Sequence, residues 1–204
     1  EIVAIGGVVD GQPTGLSYEN LRDIGDGTTR ITASSPFIAQ SVNLTGVAEP
    51  DRLRGGFVTS GFFAVVGVHP AIGRTFDPEV DRPGAAREAV LTDQAWRTRF
   101  GGRDVVGESI QLNNTPVTVV GIMPPGFDFP IDEIEVFLPF WTTTAGLARD
   151  NHNYFGVARL AAGTSIAAAN AEAAAVAATL ERAYPEVNRG RSVAVRPLKD
   201  VLTG

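Results

Sequence analysis

One segment of the sequence, TSIAAANAEAAAVAATLERAYP, has the pattern of a long amphipathic helix. Thr164 or Ser165 can cap its first turn, and Pro185 stops it. Its apolar residues recur every three or four positions as one stripe, formed by Ile166, Ala169, Ala173, Val176, Leu180 and Ala183. Because alanine and valine allow close approach, we expect this face to pack on a β-sheet. Asn170 and Glu172 interrupt the segment, so it is not a membrane-spanning helix.

The segments around this helix predict strands. NYFGVARL before it and SVAVRPL after it are apolar and rich in β-branched residues, as is IVAIGGVV near the N-terminus. The N-terminal strand is followed by LSYENLRDIGDG, a helix pattern that Ser17 can cap. Strand and helix segments at both ends of the chain therefore predict the two halves of one α/β subdomain.

The middle of the chain has the turn signals of hairpins and short helices. FIAQSVNLTG and RLRGGFVTS predict one hairpin joined by VAEPD, and ESIQL and VTVVGIM predict a second around Asn113–Asn114. EAVLT and EVFLPFW predict further strands. GFFAVVG predicts a helix capped by Ser60 and closed by Gly67, and DQAWRTRFGG predicts one capped by Thr92 or Asp93. We expect these segments to form an insertion with its own small core.

The composition excludes several classes of function. The chain has no cysteine, which removes disulfides, thiolate catalysis and cysteine-ligated zinc. Its 17 basic residues form no tract and its net charge is −6, so nucleic acid is not expected as a partner. The sequence starts at EIVAIGG, without a methionine or a signal segment, and stops at PLKDVLTG. We therefore expect a fragment of a longer protein whose membrane segments have been trimmed away.

GGVVDGQP, residues 6–13, has the glycine spacing of a phosphate-binding loop. Gln12 and Pro13 stand where such a loop needs lysine and serine or threonine, so neither phosphate nor magnesium would be held. The segment predicts a turn at the end of the first strand instead.

The segment DPEVDRPGAARE places acids at positions 1, 3, 5 and 12 of a calcium-binding loop, namely Asp77, Glu79, Asp81 and Glu88. Position 6, which needs glycine, is Arg82, and Pro83 follows it with a fixed backbone angle. A strand is predicted after Glu88, whereas a calcium loop is followed by a helix. We expect these carboxylates to lie in an exposed loop.

Few other residues are candidates for chemistry. His69 and His152 are the only histidines and lie far apart in sequence, so a histidine metal site lacks ligands. Ser60 lies in TSGF, which lacks the nucleophile elbow of serine hydrolases. Six aromatic residues are expected in the core, namely Phe62, Phe63, Trp96, Phe100, Phe127 and Phe129. We predict no catalytic residue, no cofactor site and no metal site.

Three phrases occur in the order that a known family has: VTSGFFAVVGVHPAIGRTFDPEVDRPG, EAVLTDQAWRTRFGG and VVGESIQLNNTPVTVVGIMPPGF. They resemble the MacB-like periplasmic core domain of ABC transporter permeases of the MacB/FtsX type. Over residues 40–127 the sequence itself is similar to the family. Over the flanks, residues 1–40 and 130–204, the order of the segments is similar. The chain is most similar to the duplicated-permease branch of soil bacteria, in which one polypeptide carries two such domains.

The resemblance implies an α+β fold, with a porter-like α/β subdomain of residues 1–50 plus 148–204 and an inserted smaller, hairpin-rich α/β subdomain of residues 51–147. It implies a non-enzymatic domain on the periplasmic face of the bacterial inner membrane, a soluble fragment of an integral membrane protein. Its partners would be the transmembrane helices of its own permease and, indirectly, a cytoplasmic ATPase subunit. A periplasmic adaptor or a lipoprotein would be a further partner. Such a domain would transmit conformational change during efflux.

Two alternatives stay open. The domain can instead be an extracytoplasmic module that binds a small apolar ligand or a lipid in a pocket between its two subdomains. It can also be an enzyme, in which case a hydrolase would use the carboxylates of Asp77, Glu79, Asp81 and Glu88. An enzyme of that kind requires these groups to converge in one pocket.

Overall fold

The computed structural model describes residues 1–45, 51–131, 133–140 and 147–198. These residues divide into two compact units. The first consists of Glu1–Ile38, Ala64–Val66 and the described part of Ala145–Gly204, and the second of Ala39–Phe63 and Gly67–Thr144, as far as they are described. The mixture of strands and helices is the α+β fold that the sequence predicts.

The strands are β1 (Ile2–Val9), β2 (Gln12–Thr14), β3 (Ile31–Thr45), β4 (Asp51–Val58), β5 (Ile72–Gly73), β6 (Glu88–Leu91), β7 (Ser109–Leu112), β8 (Thr115–Ile122), β9 (Val136–Pro139), β10 (Phe155–Leu160) and β11 (Arg191–Pro197). The helices are α1 (Tyr18–Gly27), α2 (Phe62–Val66), α3 (Asp93–Phe100), α4 (Ile166–Ala183) and α5 (Pro185–Asn188), with a 3₁₀ turn at Pro78–Val80. No helix of the described residues is both long and apolar enough to cross a membrane.

The first unit is an antiparallel sheet covered by helices. Its strand order is β11–β1–β10–β3, and the short β2 also pairs with β1. Helix α4 packs on β11 and beside α1. A side chain at Gly27 would place its Cβ 3.0 Å from Val176 Cγ2, so the lack of a side chain there lets the two helices approach closely. The long helix therefore packs on a sheet, as its small residues predict.

The buried stripe of α4 differs in part from the prediction. Ala169, Ala173 and Leu180 are buried as expected, and Ala177 is buried with them. Ala183 is exposed, so its assignment to the buried stripe is wrong. It is the last residue of the helix, where the chain leaves the sheet. A second short helix, α5, begins at Pro185, because proline is favoured in a first helical turn.

Most helix ends are where the capping residues predict them. Ser17, Thr92 and Ser165 each accept a hydrogen bond from the backbone N–H three residues later, at 3.1 to 3.2 Å. Gly67 and Gly101 close α2 and α3 with φ of 72° and 63°.

The prediction that Ser60 caps α2 is wrong. The N-cap of α2 is Gly61, which has no side chain to offer, and the hydroxyl of Ser60 is used elsewhere, as described below. A strand was also missed, because β2 is only three residues long and contains Pro13. The predicted turn before β2 is present at Asp10 and Gly11, where φ is 51° and 75°.

The second unit is a mixed sheet. Its strands are ordered β3–β4–β9–β6–β8–β5, with β4 parallel to β9, β6 parallel to β8, and β7 paired with both β3 and β8. The β7–β8 hairpin turns at Asn113 and Asn114, both with left-handed backbone (φ 50° and 60°), as Asn-Asn predicts. Strands β3 and β4 are neighbours, but most of the VAEPD joint lies outside the described residues, as does Trp141 of the predicted strand EVFLPFW.

Aromatic rings form the core of the second unit around Phe137 of β9. Its ring centroid lies 5.4 Å from that of Phe62, 5.5 Å from Phe63 and 5.8 Å from Phe127, and Phe76 extends the cluster. Phe62, Phe63, Phe76 and Phe137 are all buried. Three of the aromatic residues predicted in the core are instead only half-buried, namely Trp96, Phe127 and Phe129. The ring-to-ring contacts around Phe137 stabilise the core beyond the burial of apolar area, and they fix its geometry.

The alternation of buried and exposed residues on β8 gives a direct test of this packing. We expect Val119→Asp to lower the free energy of unfolding of the chain by at least about 3 kcal/mol, because it places an unpaired charge at a position that is 0% exposed. The control is Thr118→Asp, at the exposed neighbouring position, which should cost less than about 1 kcal/mol. Urea unfolding followed by circular dichroism measures both, and equal losses would contradict the described register of β8.

Candidate functional site

The four acidic residues of segment 75–88 do not form one site. Asp77 accepts a hydrogen bond from Glu79 N at 2.9 Å and so caps the 3₁₀ turn. Glu79 pairs with Arg82 at 2.6 Å, and both side chains are exposed. No cluster of three or more potential metal-ligating side chains occurs in the described ranges. Each acid has its own local partner, so the carboxylates do not converge as a hydrolase or a calcium site would require.

Asp81 ties the loop to the start of α2. Its carboxylate accepts three hydrogen bonds from Ser60, two from the backbone N–H at 2.9 and 3.1 Å and one from the hydroxyl at 2.6 Å. The short O–H···O distance is typical of a charge-assisted hydrogen bond. Ser60 is therefore a partner of the loop and not a helix cap.

Glu88 is the acid that departs most from expectation. It is the first residue of β6, as the segment EAVLT predicts, but it is only 5% exposed, whereas the sequence predicts these carboxylates in an exposed loop. Arg74 donates to both of its carboxylate oxygens, at 2.5 and 3.1 Å, and Asp77 N donates a third hydrogen bond at 3.2 Å. The hydrogen bond to Glu88 raises the pKa of Arg74. A buried carboxylate with this set of donors is held as a structural ion pair.

A second charged network joins α3 to β4 and to the residue before β9, all in the same unit. Arg99 donates to Glu135 Oε1 at 2.8 and 3.0 Å and to Asp51 Oδ2 at 2.5 Å. The other oxygen of Glu135 accepts from Arg54 N at 3.0 Å. Glu135 and Asp51 are 36 and 48 residues from Arg99 in sequence, so no local sequence pattern predicts this network.

The first unit has a comparable network on α1. Arg149 donates to Asn20 at 2.7 Å and to Asp23 at 2.8 Å, and its guanidinium lies 4.1 Å from the ring centroid of Tyr184. Asn20 in turn donates to Asn188 at 2.6 Å. These contacts fix the helix and the C-terminal segment against each other, and sequence analysis did not single out any of the residues involved.

The histidines lie apart from these networks. His69 is exposed, in the segment that follows α2. Nδ1 of His152 lies 2.9 Å from the carbonyl oxygen of Asp150, which requires the proton on Nδ1. Within the described parts of the chain, neither histidine contacts a carboxylate or a hydroxyl that it could activate.

An apolar groove of about 300 Å³ lies within the first unit, where the end of β2 meets the start of β10. Ala4 of β1 is paired with Arg196 of β11, and Gly6 with Ala194, so these four residues share one face of the sheet. Phe155 and Thr14 add to the lining. The groove is lined by one cationic side chain and no carboxylate.

Sequence comparison assigns the chain to a family. Residues 2–176 match the family model of the MacB-like periplasmic core domain. The chain is 30% identical over 117 residues to the macrolide export ATP-binding/permease protein MacB 2 of Aeromonas hydrophila, a match that covers 52% of this chain. It spans only 18% of that relative's length.

Solved structures share the fold. The extracellular domain of the noncanonic ABC-type transporter YknZ from Gram-positive bacteria superposes with a TM-score of 0.71 at 16% identity, over 95% of this chain and 99% of that one. The periplasmic region of MacB from Actinobacillus actinomycetemcomitans gives 0.72 at 13% identity, over 98% and 90%. The resemblance seen in the sequence phrases is thus confirmed over nearly the whole chain. The chain belongs to the family of MacB-like periplasmic core domains, as the periplasmic core domain of a MacB-like ABC transporter permease.

Proposed function

We propose that this domain is a non-enzymatic lever of its permease, which transmits conformational change and engages a partner or a substrate during export. The observation that carries the proposal is the use of its acidic side chains. Asp77, Asp81 and Glu88, which a hydrolase would need in one pocket, each hold a different piece of backbone in place. Residues arranged in this way stiffen a body and do not carry out chemistry.

Stiffness is the property that such a role needs. A close-packed body passes on a displacement, whereas a loosely packed one absorbs it. In the second unit the Phe137 cluster fills the core, and the pairs Arg74–Glu88 and Arg99–Glu135 connect loops and a helix to its strands. ATP would be hydrolysed by a cytoplasmic ATPase subunit, and the transmembrane helices of the same permease would pass the movement to this domain.

The two compact units support a further part of the proposal. We take the unit that contains both chain ends as the porter-like subdomain and the other as the inserted subdomain, with predicted bounds of 1–50 plus 148–204 and 51–147. A periplasmic adaptor or a lipoprotein would be the partner on the periplasmic side. The alternative, a ligand or lipid pocket between the subdomains, stays a prediction.

The structural role of Glu88 is testable in this chain. We expect Glu88→Gln to lower the free energy of unfolding by about 1–3 kcal/mol, because it removes the charge that Arg74 and the backbone of Asp77 contact. Glu79→Gln is the matched control, since its pair with Arg82 is exposed, and should cost less than about 0.5 kcal/mol. Chemical denaturation measures both. A stable Glu88→Gln variant that has lost a hydrolytic activity of the wild-type chain would support the enzyme alternative instead.

Transmission itself requires the full-length permease with its ATPase. Because this domain has no cysteine, Thr118→Cys on β8 and Ala183→Cys on α4 give exposed labelling positions, one in each unit. We expect an environment-sensitive dye at one or both positions to change its emission when ATP is added, and to stay unchanged in the isolated domain. An ATPase variant that does not bind ATP is the control. Export that proceeds while neither label responds would contradict the proposal.

A further inference from the structure

The floor of the groove in the first unit lacks a side chain at Gly6, and the backbone does not require a glycine there. Gly6 lies inside β1 and its φ is outside the left-handed region. A Cβ at Gly6 would meet only Thr14 O, at an ordinary 3.6 Å. A glycine inside a strand weakens the strand. Because the backbone at Gly6 could accept a larger residue, the glycine indicates a use for the space that it leaves.

Two neighbouring glycines give the opposite result. A Cβ at Gly7 would lie 2.5 Å from Gly15 O, and one at Gly15 would lie 2.2 Å from His152 O. Both are therefore required for the chain to pass itself closely. Gly6 differs from these two glycines. At Gly7 and Gly15 the neighbouring backbone takes the space of a side chain, whereas at Gly6 that space is part of the groove.

The groove is lined by one cation, Arg196. Arg196 is half-buried beside Ala4, and among the residues that the structure describes no acidic side chain pairs with it. Arg74, Arg99 and Arg149, in contrast, are each paired with a carboxylate. A guanidinium forms its strongest contacts with a carboxylate, through two parallel N–H···O bonds.

Size and lining restrict what can bind. A volume of about 300 Å³ is at the lower end for ligand pockets and would hold about ten non-hydrogen atoms, if each takes the volume of a water molecule. This excludes a two-chain lipid. The mostly apolar lining, with Gly6, Ala194 and Phe155, suits a hydrocarbon body.

We propose that this groove binds a small amphipathic carboxylate, with its head on Arg196 and its apolar body over Gly6 and Ala194. The site lies wholly within the first unit and goes beyond the mechanical role proposed above. Binding there does not depend on that role, because it needs no movement of the permease. The ligand would be a monocarboxylate with an unbranched or aromatic body of about eight carbons.

The test uses octanoate as the probe and the 204-residue chain, titrated by two-dimensional amide NMR. We expect saturable shifts at β1, β11 and the start of β10, with a Kd below about 1 mM. 1-Octanol, which keeps the body and lacks the charge, should bind at least tenfold more weakly. Anionic phospholipid vesicles should not compete for the groove, and if they displace octanoate from it the proposed ligand class is wrong.

Two variants locate the site. Arg196→Gln should weaken octanoate binding at least tenfold, whereas Arg191→Gln, at the other end of β11, should change it less than twofold. Gly6→Val fills the floor and should abolish binding of octanoate and octanol alike. If Gly6→Val does not fold, the comparison of the two arginine variants and the comparison of octanoate with octanol still test the proposal. Absence of saturable shifts in the wild-type chain, or equal weakening by the two arginine variants, would overturn the proposal.

Discussion

The chain contains no cysteine, so every long connection in it must be held without a covalent cross-link. Loop closure costs conformational entropy, and something must offset it. Here charged side chains do so: Asp81 holds the start of α2, Glu88 holds the loop after β5, and Arg99 holds α3 to two other elements. Two of these contacts lie next to the Phe137 cluster in sequence, since Ser60 precedes Phe62 and Glu135 precedes Phe137.

This constraint also explains why the acidic residues are misleading as catalytic candidates. A carboxylate that two or three donors already contact is engaged in holding the fold together. Glu88 is the clearest example, with Arg74 and Asp77 N around it. The features that could suggest a hydrolase or a calcium site are therefore the features that make the second unit stiff. Such a unit would suit the mechanical role proposed for this domain.

The comparison of sequence with structure separates local from distant interactions. Caps at Ser17 and Thr92 and the left-handed turn at Asn113–Asn114 follow from residues within three or four positions of each other, and all were predictable. Ser60 was assigned wrongly because its partner Asp81 is 21 residues away. The groove at Gly6 could not be predicted, since four separated segments form it and its cation, Arg196, is remote from Gly6 in sequence. Interactions between residues close in sequence determine the helices and strands. Tertiary packing determines the contacts that decide how a site is used.

The central claim is that the domain moves as stiff bodies driven from elsewhere. Amide hydrogen exchange of this domain within the full-length transporter tests it most directly, with the nucleotide-free state compared with the state during ATP turnover. The claim predicts that amides of β1, β8 and β9 keep the same protection in both states, while exchange changes in exposed segments. Loss of protection in those core strands during turnover, or identical exchange everywhere in the two states, would contradict it.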